Sequence, residues 1–187
     1  MDRLIIKNFK YLFLFFFTII LNSILNAEEM IIGEEKIDPG IALIFEGAIK
    51  DEISPKEFYL SEQNSDIHIE ALATWTNNAP AGTVEGGFVP YLEIEVKIIN
   101  QETQNSVLYD LVPHINLTDN FHYANNIKLP GKKDDLYEVI FYLKPPSIGS
   151  LGYHYDWREN VNKNLISQKT FVYTDQNFSK WVSLTRR

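Results

Sequence analysis

From about residue 30 onward the sequence predicts an all-β chain folded as an antiparallel β-sandwich. Three observations carry that expectation. Short apolar or alternating runs recur along the chain, turn residues separate them, and no helical period lasts beyond two turns. Several short strands at such spacing suggest two packed sheets, with a partly closed barrel as the alternative. The 187 residues suit one domain, and 45% hydrophobic with 13% aromatic content is that of a packed globular core.

The first element lies outside that domain. Arg3, Lys7 and Lys10 precede the apolar run "YLFLFFFTIIL" (residues 11–21), and "NSILNA" follows. A charged start, a short apolar stretch and a cleavage point after Ala27 describe a signal peptide over 1–27, leaving 28–187 as the mature domain. The run falls short of the roughly 20 apolar residues of a spanning helix. An uncleaved anchor is the rival, because Leu25 is larger than signal peptidase prefers there.

Within the domain, "GIALIFEGAI" (40–49) is a mostly apolar, buried run. "SDIHIEALATW" (65–75) alternates, with Ile67 and Ile69 on one face and His68 and Glu70 on the other. Residues 77–87 are a loop by composition. "YLEIEVKII" (91–99) turns Leu92, Ile94, Val96 and Ile98 inward, and "SVLYDLV" (106–112) returns after a hairpin. Residues 113–131 read as a long irregular segment, and "LYEVIFYLKPP" (136–146) as a strand stopped by two prolines. A second long loop, "SIGSLGYHYDWRENVNKN", leads to a last strand in "QKTFVYT".

Lys+Arg is 17 against Asp+Glu 25, a net charge of −8, which argues against a nucleic-acid surface. Removal of residues 1–27 takes away Arg3, Lys7, Lys10 and Asp2 and leaves −10. The absence of cysteine excludes disulfides, iron–sulfur ligation and a cysteine-linked lipid anchor. An exported chain of this kind is most simply periplasmic or at a bacterial cell surface. No G-x-S-x-G, H-E-x-x-H or glycine-rich phosphate loop is present.

Chemistry concentrates in the four histidines. On a strand, His68 and Glu70 project side by side, a two-donor platform for a divalent cation. His114, Asp119 and His122 lie in the 113–131 segment, where a rigid scaffold would present binding groups. His154 sits between Tyr153 and Tyr155 in the second long loop. Taken singly, each reads as readily as a surface or packing residue. As a set on strand edges and loops, imidazole with carboxylate suits Cu(II), Zn(II) or iron.

With those residues in hand, the chain resembles the periplasmic high-affinity iron-transport protein family, small exported metal binders that work beside an iron permease. "GEEKIDPG" is similar to that family's G-E-x-K-x-x-x-G, and "SDIHIEA" to its D-[IV]-H-L-E-A-D strand. "EGGFVPYLEIEV" resembles E-G-x-W-I-P-Y-L, and "PHINLTDNFHYANNIKL" resembles P-M-x-x-x-x-D-G-P-H-Y-G-A-N-I-K. "YLKPPSIGSLGYHYD" resembles I-x-P-P-x-x-x-G-M-x-R-H-x-D. His68, His122 and His154 match the family's histidine ligands, and Glu70 and Asp119 its acidic partners. His114 stands where the family usually has methionine, and residues 50–64 match poorly.

The resemblance implies an immunoglobulin-like sandwich, a homodimer with its site near the interface, and binding of an iron or copper ion for an inner-membrane permease. It implies no catalytic turnover. Two other classes stay open on the residues alone. One is a secreted mononuclear-metal enzyme, which lacks a candidate nucleophile or base beyond the ligands. The other is a β-sandwich surface-interaction domain.

Overall fold

The computed structural model describes residues 29–185, so the expected signal peptide lies outside the described residues. Eight strands form one antiparallel sheet: β1 (Met30–Ile37), β2 (Ile41–Ala48), β3 (Ile67–Trp75), β4 (Glu93–Asn100), β5 (Ser106–Asn116), β6 (Asn120–Ile127), β7 (Tyr137–Lys144) and β8 (Lys169–Gln176). Their spatial order is β1-β2-β3-β6-β5-β4-β7-β8. Two short helices follow the later strands, α1 (Tyr155–Asn160) and α2 (Ser179–Val182). Among the described residues no helix is long and apolar enough to cross a membrane.

The predicted alternation sets the core. Leu92, Ile94, Val96 and Ile98 are buried, as are Ile67, Ile69, Ala71 and Ala73 on β3 and Ile41, Leu43 and Phe45 on β2. Phe45 stacks on Phe141 of β7 with ring centroids 4.0 Å apart, joining two halves of the sheet face to face.

The expected pair of sheets is one nearly closed, barrel-like sheet, and β5 is the reason. Ser106–Leu111 pair with β4, whereas Val112–Asn116 pair with β6, so a single strand serves both halves. The outer strands approach across the remaining seam. Tyr173 of β8 donates its hydroxyl to Glu35 Oε1 of β1 at 3.0 Å. Its ring lies over Gly33, where a Cβ would come within 2.2 Å of ring atoms.

Residues 113–131 are not irregular. They hold the end of β5, a tight turn and the whole of β6. Asn116 Oδ1 accepts from the Thr118 and Asp119 amides, and Asn120 takes a left-handed φ of 61° to start the return strand. Three further elements were not legible: β1 precedes the first expected strand, the second long loop contains α1, and α2 follows the last expected strand.

Candidate metal centre

The strand register gathers three of the four histidines on the sheet face opposite the core. On β3, Ile67 and Ile69 point inward, so His68 and Glu70 point away. Asn126 stands opposite His68, and small Ala124 stands opposite Glu70 and leaves room beside it. His122 is the next residue of β6 on that face, and it pairs with His114 of β5. On the other side Glu46 of β2 lies opposite Glu70.

This face is not wet. His68, Glu70 and His122 are 4%, 1% and 2% exposed. The segment from 49 to 66 roofs them. Asn126 Nδ2 donates to the Asp51 carbonyl at 2.7 Å and the Leu60 carbonyl at 2.8 Å. Tyr59 sets its ring edge-on to His114, centroids 5.1 Å apart.

The hydrogen bonds fix how the imidazoles are presented. Because the Asn126 amide nitrogen is committed to two carbonyls, its Oδ1 is an acceptor, and His68 Nδ1–H donates to it at 2.9 Å. His122 Nδ1–H likewise donates to the Asn120 carbonyl at 3.2 Å. Both rings then turn Nε2 toward Glu70, at 3.5 Å from Oε1 for His68 and 3.9 Å from Oε2 for His122. An anchored Nδ1 with a presented Nε2 is the arrangement of metal-ligating histidines.

His114 completes the cluster. Its ring lies 5.5 Å from that of His68 and 5.9 Å from that of His122, centroid to centroid. Its Nε2 is buried with no hydrogen-bond partner. Burial, with a smaller contribution from His122, pushes its pKa down to about 4. The ring is therefore neutral at physiological pH, with a lone pair available.

Three groups of donors each lie within 4.8 Å of one another: His68, His114 and His122; Glu70, Asp119 and His122; and Glu29, Glu46 and Glu70. The structure thus brings together five residues singled out in the sequence: His68, Glu70, His114, Asp119 and His122. His154 joins no group among the described residues; it is exposed at the start of α1. That helix lines a groove with Gly40 and Thr76. Thr76 is eight residues along from His68, roughly 26 Å away by strand rise.

Glu29 and Glu46 were not anticipated. A glutamate inside the apolar run "IALIFEGAI" was the available signal, since its parity places it opposite Phe45. Burial, then the charge of Glu29 and a hydrogen bond with it, raise the Glu46 pKa to about 7.

Three imidazoles beside a carboxylate fit a borderline divalent cation such as Fe2+ or Cu2+. The chain is similar to several known proteins. A UPF0423 protein of Brucella abortus strain 2308 is 27% identical over 155 residues, 79% of this chain and 82% of its own length. A copper-bound variant of Campylobacter jejuni P19 is 27% identical, covers 80% of this chain and 97% of its own, and superposes with a TM-score of 0.68. FetP of a uropathogenic Escherichia coli strain, at 21% identity and a TM-score of 0.67 over 81% of this chain and 95% of its own, shares the fold. Residues 26–179 match the Fe2+ transport protein family, and the chain belongs to that family.

Proposed function

We propose that the protein is the periplasmic metal-binding component of an iron uptake system. It holds an iron or copper ion as cargo between His68, His114, His122 and Glu70, with Asp119 beside them, and presents it to an inner-membrane permease. The observation that carries this reading is the convergence of two Nδ1-anchored histidines and the buried His114 Nε2 beside Glu70. Imidazole nitrogens and a carboxylate that converge in this way suit a bound divalent cation.

The protein acts by binding and release rather than turnover, and zinc substitutes for the cargo on donor chemistry alone. Export by residues 1–27 puts it in the periplasm, in keeping with FetP, which was expressed recombinantly in that compartment. The two facing halves joined at β5 support an immunoglobulin-like description of the fold.

His154 contributes from a second copy of the chain in a homodimer. The β5–β6 hairpin beside the site supports pairing, since it leaves Ile115, Leu117 and Phe121 66%, 107% and 49% exposed.

Calorimetric titration of the metal-free protein with Cu2+ and, under anaerobic conditions, Fe2+ tests the reading. One tight equivalent per chain is expected, abolished by His122→Ala with the fold retained. Unchanged stoichiometry in His122→Ala overturns it. Sedimentation of His154→Ala with and without metal then tests the second copy's part.

A further inference from the structure

Two tripeptides match the N-x-S/T pattern of N-glycosylation: Asn116-Leu117-Thr118 on the β5–β6 hairpin and Asn177-Phe178-Ser179 between β8 and α2. Such tripeptides are frequent by chance, so the pattern alone assigns nothing. Their surroundings separate them. Asn116 is half-buried, and its Nδ2 donates to Asp119 Oδ2 at 2.7 Å. The nitrogen that a sugar would join is thus already committed, next to the histidine pocket.

Asn177 is exposed. Its Oδ1 accepts the Ser179 backbone N–H at 3.0 Å, which fixes the amide plane and leaves Nδ2 without a partner among the described residues. Asp175, two places before it, is exposed as well and takes a left-handed φ of 59°. Bacterial transferases that read this pattern pair an acidic side chain at that place with a cation of their own, so charge adds to specificity. The same place before Asn116 belongs to His114, which offers no negative charge.

We propose that Asn177 is an N-glycosylation acceptor and that Asn116 is not. The inference rests on export, a part of the proposed function, because these transferases work outside the cytoplasm. The donor is an oligosaccharide carried on a lipid diphosphate. Asn177 Nδ2 bonds to the anomeric carbon, the bond from that carbon to the diphosphate oxygen breaks, and one amide proton passes to the released diphosphate.

Phe178 sets the order of events. It is fully buried, with its ring centroid 5.9 Å from that of Tyr137. A transferase takes its three acceptor residues as an open stretch, which a docked Phe178 prevents. The sugar is therefore added before the last segment docks, during export or just after it. Once Phe178 is seated, Asn177 stays at the surface, and the finished glycan disturbs no packing.

Two arms test the proposal by intact mass. In the first, the full chain is produced in a bacterium that carries an N-oligosaccharyltransferase and its lipid-linked oligosaccharide. Wild type should gain the mass of one glycan. Asn177→Asp, which keeps the oxygen that Ser179 N–H needs, and Ser179→Ala should lose that gain. Ser179→Thr and Thr118→Ala should keep it, and Asp175→Ala should lower the modified fraction. In the second arm, full chain made without export is mixed with the purified transferase, either folded or at the moment of dilution from urea. Modification is expected only in the diluted sample.

No mass gain in either arm overturns the inference, as does a gain lost in Thr118→Ala but kept in Ser179→Ala. Equal modification of the folded chain overturns the order of events. A gain in the second arm without one in the first places the failure on export and upholds Asn177 as the acceptor.

Discussion

His68 Nδ1 lies 2.9 Å from Asn126 Oδ1, and the amide nitrogen of the same asparagine holds the Asp51 and Leu60 carbonyls. One buried side chain thus orients His68, a ligand in the proposed function, and fastens the roof above it. Asn126→Ala is expected to lower copper affinity by about 10–100-fold, the usual effect of losing a ligand's outer partner. It should also cost about 1–3 kcal/mol of stability, because two carbonyls and a ring nitrogen lose their partner. Calorimetry and urea unfolding measure the two effects on one preparation.

His114 offers a test of metal preference. Replacing it by methionine exchanges a borderline nitrogen donor for a soft thioether. The expected outcome is retained binding with selectivity moved toward Cu(I), read by competition against a Cu(I) chelator. A variant that prefers Fe2+ more strongly than the wild type would mean that His114 is not a ligand.

The same residue sets a pH window. Its folded pKa of about 4 is below the ordinary 6.5, so between those values the unfolded chain takes up a proton that the native chain refuses. Stability from this group is present above pH 6.5 and is lost as pH falls toward 4. Urea titrations of the metal-free protein should show wild type losing stability over that window relative to His114→Leu. In metal binding, His114 adds no proton competition between pH 7 and pH 5, so any fall in affinity there comes from other ligands.

The seam of the sheet depends on Gly33. A methyl at that position would meet the Tyr173 ring at 2.2 Å. Gly33→Ala should therefore force the ring aside and cost about 1–3 kcal/mol, as overpacking does. Tyr173→Phe, which removes only the hydrogen bond to Glu35, should cost about 1 kcal/mol. Thermal unfolding of the two variants ranks the contributions.

How far the site could be read from sequence differs residue by residue. Period-2 alternation placed His68 and Glu70 together and gave β4 its core face, because both depend only on neighbours along one strand. The pairing of His114 with His122 was hidden: Pro113 and the polar "NN" of β6 depress strand propensity, and register on β3 overrides it. Burial of the face was hidden too, since Asp51 and Asn126 are 75 residues apart. β1 escaped notice because, as an edge strand, it buries only Ile32 and Ile37 among mixed charges. Glu46 could have been found, a lone carboxylate in an apolar strand.

The roof over the histidines also governs time. In the proposed function a cation held under residues 49–66 would leave as the segment lifts, and lifting requires Asn126 to release the Asp51 and Leu60 carbonyls. The residence time of the ion is thereby tied to the opening rate of a loop rather than to ligand strength alone. Under that same proposal, contact with this segment would trigger unloading without competition for the metal, which joins a tight grip to quick delivery.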